Sequence, residues 1–130
     1  MRTTATFRLF GSDQLTAAAA TTALGVSPTR SFEAGALVSS RSTTKRDRSA
    51  WLLQSSEEIE DDVELSTQLE RLLVVLTPLR EVLWRLIDQG YEANWFCYVE
   101  SEAAEHAVEL DRNLLERVLE LPGEFWIDVG

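Results

Sequence analysis

The chain has 130 residues, 12 Lys+Arg, 22 Asp+Glu and a formal net charge of −10. That length fits one domain, 1–130, and a globule of this size buries enough surface to need no disulfide or structural metal. A single cysteine excludes an internal disulfide, a 45% hydrophobic share excludes a disordered chain, and no stretch nears the roughly 20 apolar residues that span a bilayer.

Residues 4–10 alternate, with Ala5, Phe7 and Leu9 on one side and Thr6, Arg8 and Phe10 on the other. Period two predicts a strand. Gly11 and Ser12 end it, and Asp13 is the expected cap of a following helix. Leu15, Ala18, Ala19, Thr22 and Ala23 give that helix a small-residue face, and Gly25 is its expected terminator. Arg30-Ser31-Phe32-Glu33 reads as a short strand, and Ala50 to Ser55 as a clearer one centred on Trp51 and Leu53. Between them lies a flexible basic loop, 39–49, and after them an acidic linker, 56–65.

Thr67 and Glu70 have capping-box spacing. Leu69, Leu72, Leu73 and Leu76 follow at helical steps; Thr77-Pro78 interrupts, with Thr77 as a new cap. Leu79, Val82, Leu83, Leu86 and Ile87 continue as a second apolar stripe up to Gly90. Trp95 to Val99 reads as a central strand buried on both faces. Asp111 caps a helix bearing Leu114, Leu115, Val118 and Leu119, and Phe125 to Val129 alternates as a last strand after Pro122-Gly123. The order predicts an α+β fold: a mainly antiparallel sheet packed against helices, with βαβ crossovers allowed.

Charge divides along the chain. Residues 1–50 carry seven basic and three acidic side chains; the remainder carries five basic and 19 acidic. A strongly acidic globule repels phosphate backbones, so nucleic acid is not an expected partner, whereas a basic protein is. The apolar N-terminal residues are broken by Arg8, Gly11, Ser12, Asp13 and Gln14, which does not suit a secretory signal. With the free Cys97, this points to a cytoplasmic protein.

Several segments together resemble the bacterial domain-of-unknown-function family 4279. They are Asp13-Gln14-Leu15-Thr16 after the first strand, Leu24-Gly25-Val26-Ser27-Pro28-Thr29-Arg30-Ser31, Ala34-Gly35 and Trp51-Leu52. The leucines 69, 72, 73 and 76 with Pro78 follow, then Leu114-Leu115-Glu116-Arg117 leading to Phe125-Trp126-Ile127-Asp128-Val129. The resemblance spans nearly the whole chain and rests on order and spacing. The family usually has an aromatic residue just after that aspartate, where this chain has Val129-Gly130. The resemblance implies no activity, cofactor or catalytic residue. Some related small bacterial proteins resemble toxin immunity partners, which implies a binding role by association.

Chemistry-bearing residues are sparse. Cys97 and His106 are two soft ligands where a closed zinc site wants four, and a nucleophilic pair needs direct contact and a third orienting group. Cys97, amid aromatics, is expected as a small core hydrophobe. The carboxylates of 57–64 lack the glycine turn and donor alternation of a calcium loop. No glycine pattern of a nucleotide-binding loop is present. No catalytic residue, metal or cofactor is therefore assigned.

Two binding surfaces remain. Arg30, Arg41, Lys45 and Arg46 with Trp51 suit an anion, because guanidinium forks match oxyanions and an aromatic stacks on a ring. Glu57, Glu58, Glu60, Asp61 and Asp62, with Trp84 and Trp126 if exposed, suit a basic partner. The leading expectation is a small protein-interaction domain, immunity-like or regulatory, acting by occlusion. The alternative is an anionic small-molecule binding domain, or an enzyme, using the basic loop. A homodimer through the last strand is a third, since 124–129 lacks edge lysine or proline.

Overall fold

The computed structural model describes residues 1–101 and 107–130. In chain order the elements are β1 (Arg2–Phe10), α1 (Ala17–Leu24), β2 (Arg30–Phe32), β3 (Ala50–Gln54), β4 (Glu60–Asp61) and α2 (Leu65–Leu76). A 3-10 turn at Thr77–Leu79 leads into α3 (Arg80–Gln89), then β5 (Glu92–Glu100), α4 (Arg112–Leu119) and β6 (Glu124–Val129). Among the described residues the strands form one sheet in the order β2-β3-β1-β5-β6, with β4 beside the first residues of β1. Only β5 and β6 run parallel, joined through α4; the other pairs are antiparallel. The fold is thus the expected mainly antiparallel sheet packed against helices, with one β–α–β crossover.

The alternation of β1 divides the sheet into two unlike faces. Thr3, Ala5, Phe7 and Leu9 are buried. In register with them on neighbouring strands are Trp51, Leu53, Trp95, Cys97 and Val99, also buried. The Phe7 and Trp95 rings meet edge to face at 5.0 Å, the arrangement aromatic quadrupoles favour. Leucines 65, 69, 72, 73 and 76 of α2, Leu83 and Leu86 of α3, and Leu114 and Val118 of α4 join this one core. The other face carries Arg8, Phe10, Leu52, Phe96 and Tyr98, all part-exposed. β5 is therefore central but not buried on both faces, because the described helices cover one side only.

Helix beginnings depart from the expected caps. α1 starts at Ala17, capped by Thr16, whose hydroxyl accepts from the Ala19 N–H at 3.0 Å. Asp13 stays in the preceding turn. The Glu33 carboxylate, just beyond β2, accepts from the N–H groups of Ala17 (2.8 Å) and Ala18 (3.0 Å). It thus supplies both a cap and a negative charge at the positive helix end. The buried face is Ala17, Ala20 and Leu24 rather than Ala18, Ala19, Thr22 and Ala23. A run of small residues carries little asymmetry, so the sheet contact sets the phase. Gly25 closes the helix in the left-handed conformation, φ 69°, as expected.

α2 begins at Leu65, two residues before Thr67, so the Thr67–Glu70 capping box does not form. Glu70 instead makes a two-pronged pair with Arg117 of α4, joining Nη1 to Oε2 at 2.8 Å and Nη2 to Oε1. Thr77 is not an N-cap: its backbone is helical (φ −56°, ψ −44°) and it opens the 3-10 turn, while Pro78 breaks the helix where expected. On α4 only Leu114 and Val118 are buried; Leu115 and Leu119 face outward. Asp111 caps α4 as expected, accepting from Leu114 N–H at 2.8 Å. A buried polar tie fastens α2 to the sheet: Gln68 Nε2 donates to the Thr3 carbonyl at 3.1 Å.

Two stability effects follow from these contacts. Glu33→Ala removes the acceptor from two amide donors and lowers unfolding free energy by about 1 kcal/mol, read from the denaturant midpoint. The Arg117 hydrogen bond, the leading cause, holds the Glu70 carboxyl below its ordinary value. A depressed folded value means the pair stabilises above the unfolded carboxylate value and is lost as pH falls through the folded one. Glu70→Gln is thus less stable than the parent at pH 7, and the gap closes as the buffer is taken below the ordinary carboxylate range.

Candidate functional site

The basic stretch folds back along the exposed sheet face. Arg46 N–H donates to the Ala36 carbonyl at 2.7 Å, Gly35 N–H to the Arg46 carbonyl at 2.8 Å, and Val38 N–H to the Thr44 carbonyl at 3.0 Å. This small antiparallel ladder sets Lys45, Arg46 and Arg48 beside β1, β2 and β3. Together they enclose a recess of about 480 Å³ lined by Arg8, Phe10, Phe32, Val38, Lys45, Arg46, Asp47, Arg48, Ala50 and Leu52. Four cations and one carboxylate therefore share an apolar floor, within a protein of net charge −10.

Three of the four cations, the arginines, are seated on rings. The guanidinium carbon of Arg46 lies 3.6 Å from the Phe32 ring centroid, that of Arg8 4.5 Å from Phe96, and that of Arg48 4.9 Å from Phe10. Stacking of this kind attracts a cation to the ring quadrupole and limits its rotamers. Arg8 is further fixed by Nε donating to Asn94 Oδ1 at 2.6 Å. Burial pulls the Arg8 guanidinium below its ordinary value. The buried Nε of Arg46 has no hydrogen-bond partner among the described residues. Arg8, Lys45 and Arg46 make no ion pair with any described residue, whereas Arg48 pairs with Glu92 at 3.2 Å.

The expected anion-binding residues divide. Lys45 and Arg46 line the recess. Arg30 lies on the same sheet face, its guanidinium 5.1 Å from Phe32, but outside the lining. Arg41 is exposed in the loop and is not part of the lining. Trp51 is fully buried on the opposite, helix-covered face, because it alternates with Ala50 and Leu52. Arg8, Phe10, Phe32 and Arg48 were not in the expected set. Their signal was present for Arg8 and Phe10, which fall on one side of the first strand.

The expected interface residues also divide. Glu60 and Asp61, which form β4, pair with Arg71 and with Arg2 (2.8 Å) respectively, while Glu57, Glu58 and Asp62 are exposed. Trp84 and Trp126 are 44% and 51% exposed and come together in a second recess of about 550 Å³ with Tyr91, Glu92, Asn94 and Glu124. The Trp84 indole donates to the Glu120 carbonyl at 2.9 Å, and buried Trp95 donates to the Pro122 carbonyl at 3.1 Å. These two bonds pin the turn between α4 and β6. β6 is an edge strand exposing Trp126, Ile127 and Val129.

Cys97 is fully buried, and desolvation pushes its thiol up to about 12. His106, the other member of the considered pair, lies outside the described residues. Among the described residues no three His, Cys, Asp or Glu side chains converge as metal ligands, and no helix is long and apolar enough to cross a membrane.

A family profile described as "Domain of unknown function (DUF4279)" matches residues 1–130. The chain belongs to this family. DUF4279 membership agrees with the resemblance drawn from the dispersed segments and brings no activity with it. No curated protein and no solved structure matches the chain.

The raised Cys97 thiol leaves almost no thiolate near neutrality. Iodoacetamide at pH 8 should label Cys97 only after denaturant unfolds the chain, as read by mass; rapid labelling of the native protein contradicts a buried structural thiol.

Proposed function

We propose that this protein binds a small organic oxyanion in the recess formed by Arg8, Lys45, Arg46 and Arg48 over Phe10 and Phe32. The observation that carries this reading is that Arg8 and Arg46 are ring-stacked and lack a carboxylate partner among the described residues. A partly desolvated cation favours a nearby anion more than a fully hydrated one does. Two forks held on rings give up little side-chain freedom on binding, and suit the paired oxygens of a carboxylate or phosphate. The role is binding; no nucleophile or proton-transfer pair is assigned at the recess.

A second reading, a protein-interaction domain acting by occlusion as an immunity-like or regulatory partner, draws on one other observation. Trp84 and Trp126 are exposed in one recess beside Glu92 and Glu124, a surface with large aromatics and negative charge. That reading expects a salt-sensitive, stoichiometric complex with a basic protein, weakened by Trp126→Ala.

The anion reading is tested by NMR titration with inorganic phosphate at low ionic strength. Saturable shifts around Arg8, Phe32 and Arg46 are expected, weakening about tenfold or more in Arg46→Ala and unchanged in Arg85→Ala, an exposed cation on α3. Equal phosphate binding by the parent and Arg46→Ala, or no saturable shifts, overturns it.

A further inference from the structure

The two recesses are neighbours. Phe10 and Arg48 line both of them. Arg8, in the wall of the first, donates to Asn94, in the wall of the second. The arginine recess on the open sheet face thus adjoins, at the sheet's end, a recess to which α3 contributes Trp84 and Ile87, and the two make a groove with ends of different chemistry. One end is cationic. The other offers the exposed parts of Trp84 and Trp126, with Ile87, Ala93 and Pro122 in the same lining.

We infer that the groove takes an amphipathic oxyanion, its head in the arginine recess and its aromatic body in the tryptophan recess. This deepens the anion reading and rests on it. Three features support the assignment. The tryptophan recess has large apolar walls in contact with water, and a flat ring covering them removes apolar surface from solvent. Glu92 and Glu124 stand at that end, so a negative head is repelled there and attracted at the other. The dividing wall is Phe10 with Arg48, whose pair with Glu92 is solvent-exposed on both sides and so costs little to rearrange. The charge gradient along the groove fixes the direction in which the ligand lies.

The test compares inorganic phosphate with 1-naphthyl phosphate and 1-naphthoate by NMR titration of the full chain. A naphthyl oxyanion should bind about tenfold or more tightly than inorganic phosphate, in line with the added apolar contact. Trp126→Ala should bring that gain within about twofold of nothing while inorganic phosphate binds as in the parent, which also shows that the variant is folded. The Trp126 indole hydrogen-bonds only the exposed Glu124 carboxylate among the described residues, so truncation leaves the core intact. The proposal is supported when either naphthyl probe shows this Trp126-dependent gain, and the tighter probe identifies the head. Phosphate binding with no gain from either ring overturns the amphipathic assignment and leaves the anion reading standing. A gain that survives Trp126→Ala places the body elsewhere and also overturns it. Failure of phosphate and both naphthyl probes to bind removes both readings.

Discussion

Everything in this protein hangs on β1. Three strands pair with it, β3 and β4 along one edge and β5 along the other. Its alternating side chains divide the interior from the candidate site. Phe7 and Leu9 fasten the helices to the sheet; Arg8 and Phe10, their immediate neighbours, build the groove. A one-residue slip of register would send the arginine into the core and phenylalanine and leucine into water, so the same pairing that stabilises the fold positions the site. Stability and binding geometry are set on this strand by a single physical constraint, the pleat.

The helices are held to one face by contacts of two kinds. Most of the attachment is apolar, through the α2 leucines and the two buried tryptophans. Polar ties add to it, among them Gln68 of α2 to Thr3, Arg71 of α2 to Glu60 of β4, and the Glu33 carboxylate to the first amides of α1. Such bonds add modest net energy but penalise alternative packings that would leave a buried donor unpaired. The other face has no helix among the described residues. There, guanidinium groups lie on aromatic rings, so hydrocarbon on that face is covered by side chains that remain charged.

Much of the fold was legible in sequence because its signals are periodic. The alternation at 4–10 and 125–129, the leucine spacing in α2 and α3, and the caps Gly25 and Asp111 all correspond to observed elements. Where the signal was weak, it misled. Asp13 and Thr67 have capping chemistry, yet Thr16 caps α1 and α2 starts before Thr67, because packing against the sheet decides where a helix begins. The site was half legible. The clustered cations Lys45 and Arg46 stand out along the chain, but Arg8, Phe10 and Phe32 join them only through strand pairing. Trp51 is close to the cations in sequence, but the pleat turns it to the opposite face. Trp84 and Trp126, 42 positions apart by their numbers, line one recess because α3 and β6 both border it.

Phe32 and Glu33 are consecutive residues with duties on opposite sides of the sheet. The Phe32 ring supports the Arg46 guanidinium in the groove, while the Glu33 carboxylate receives the first amides of α1. No flexible spacer separates them. One peptide unit at the end of edge strand β2 thus serves two surfaces, its ring facing the recess and its carboxylate meeting the start of α1.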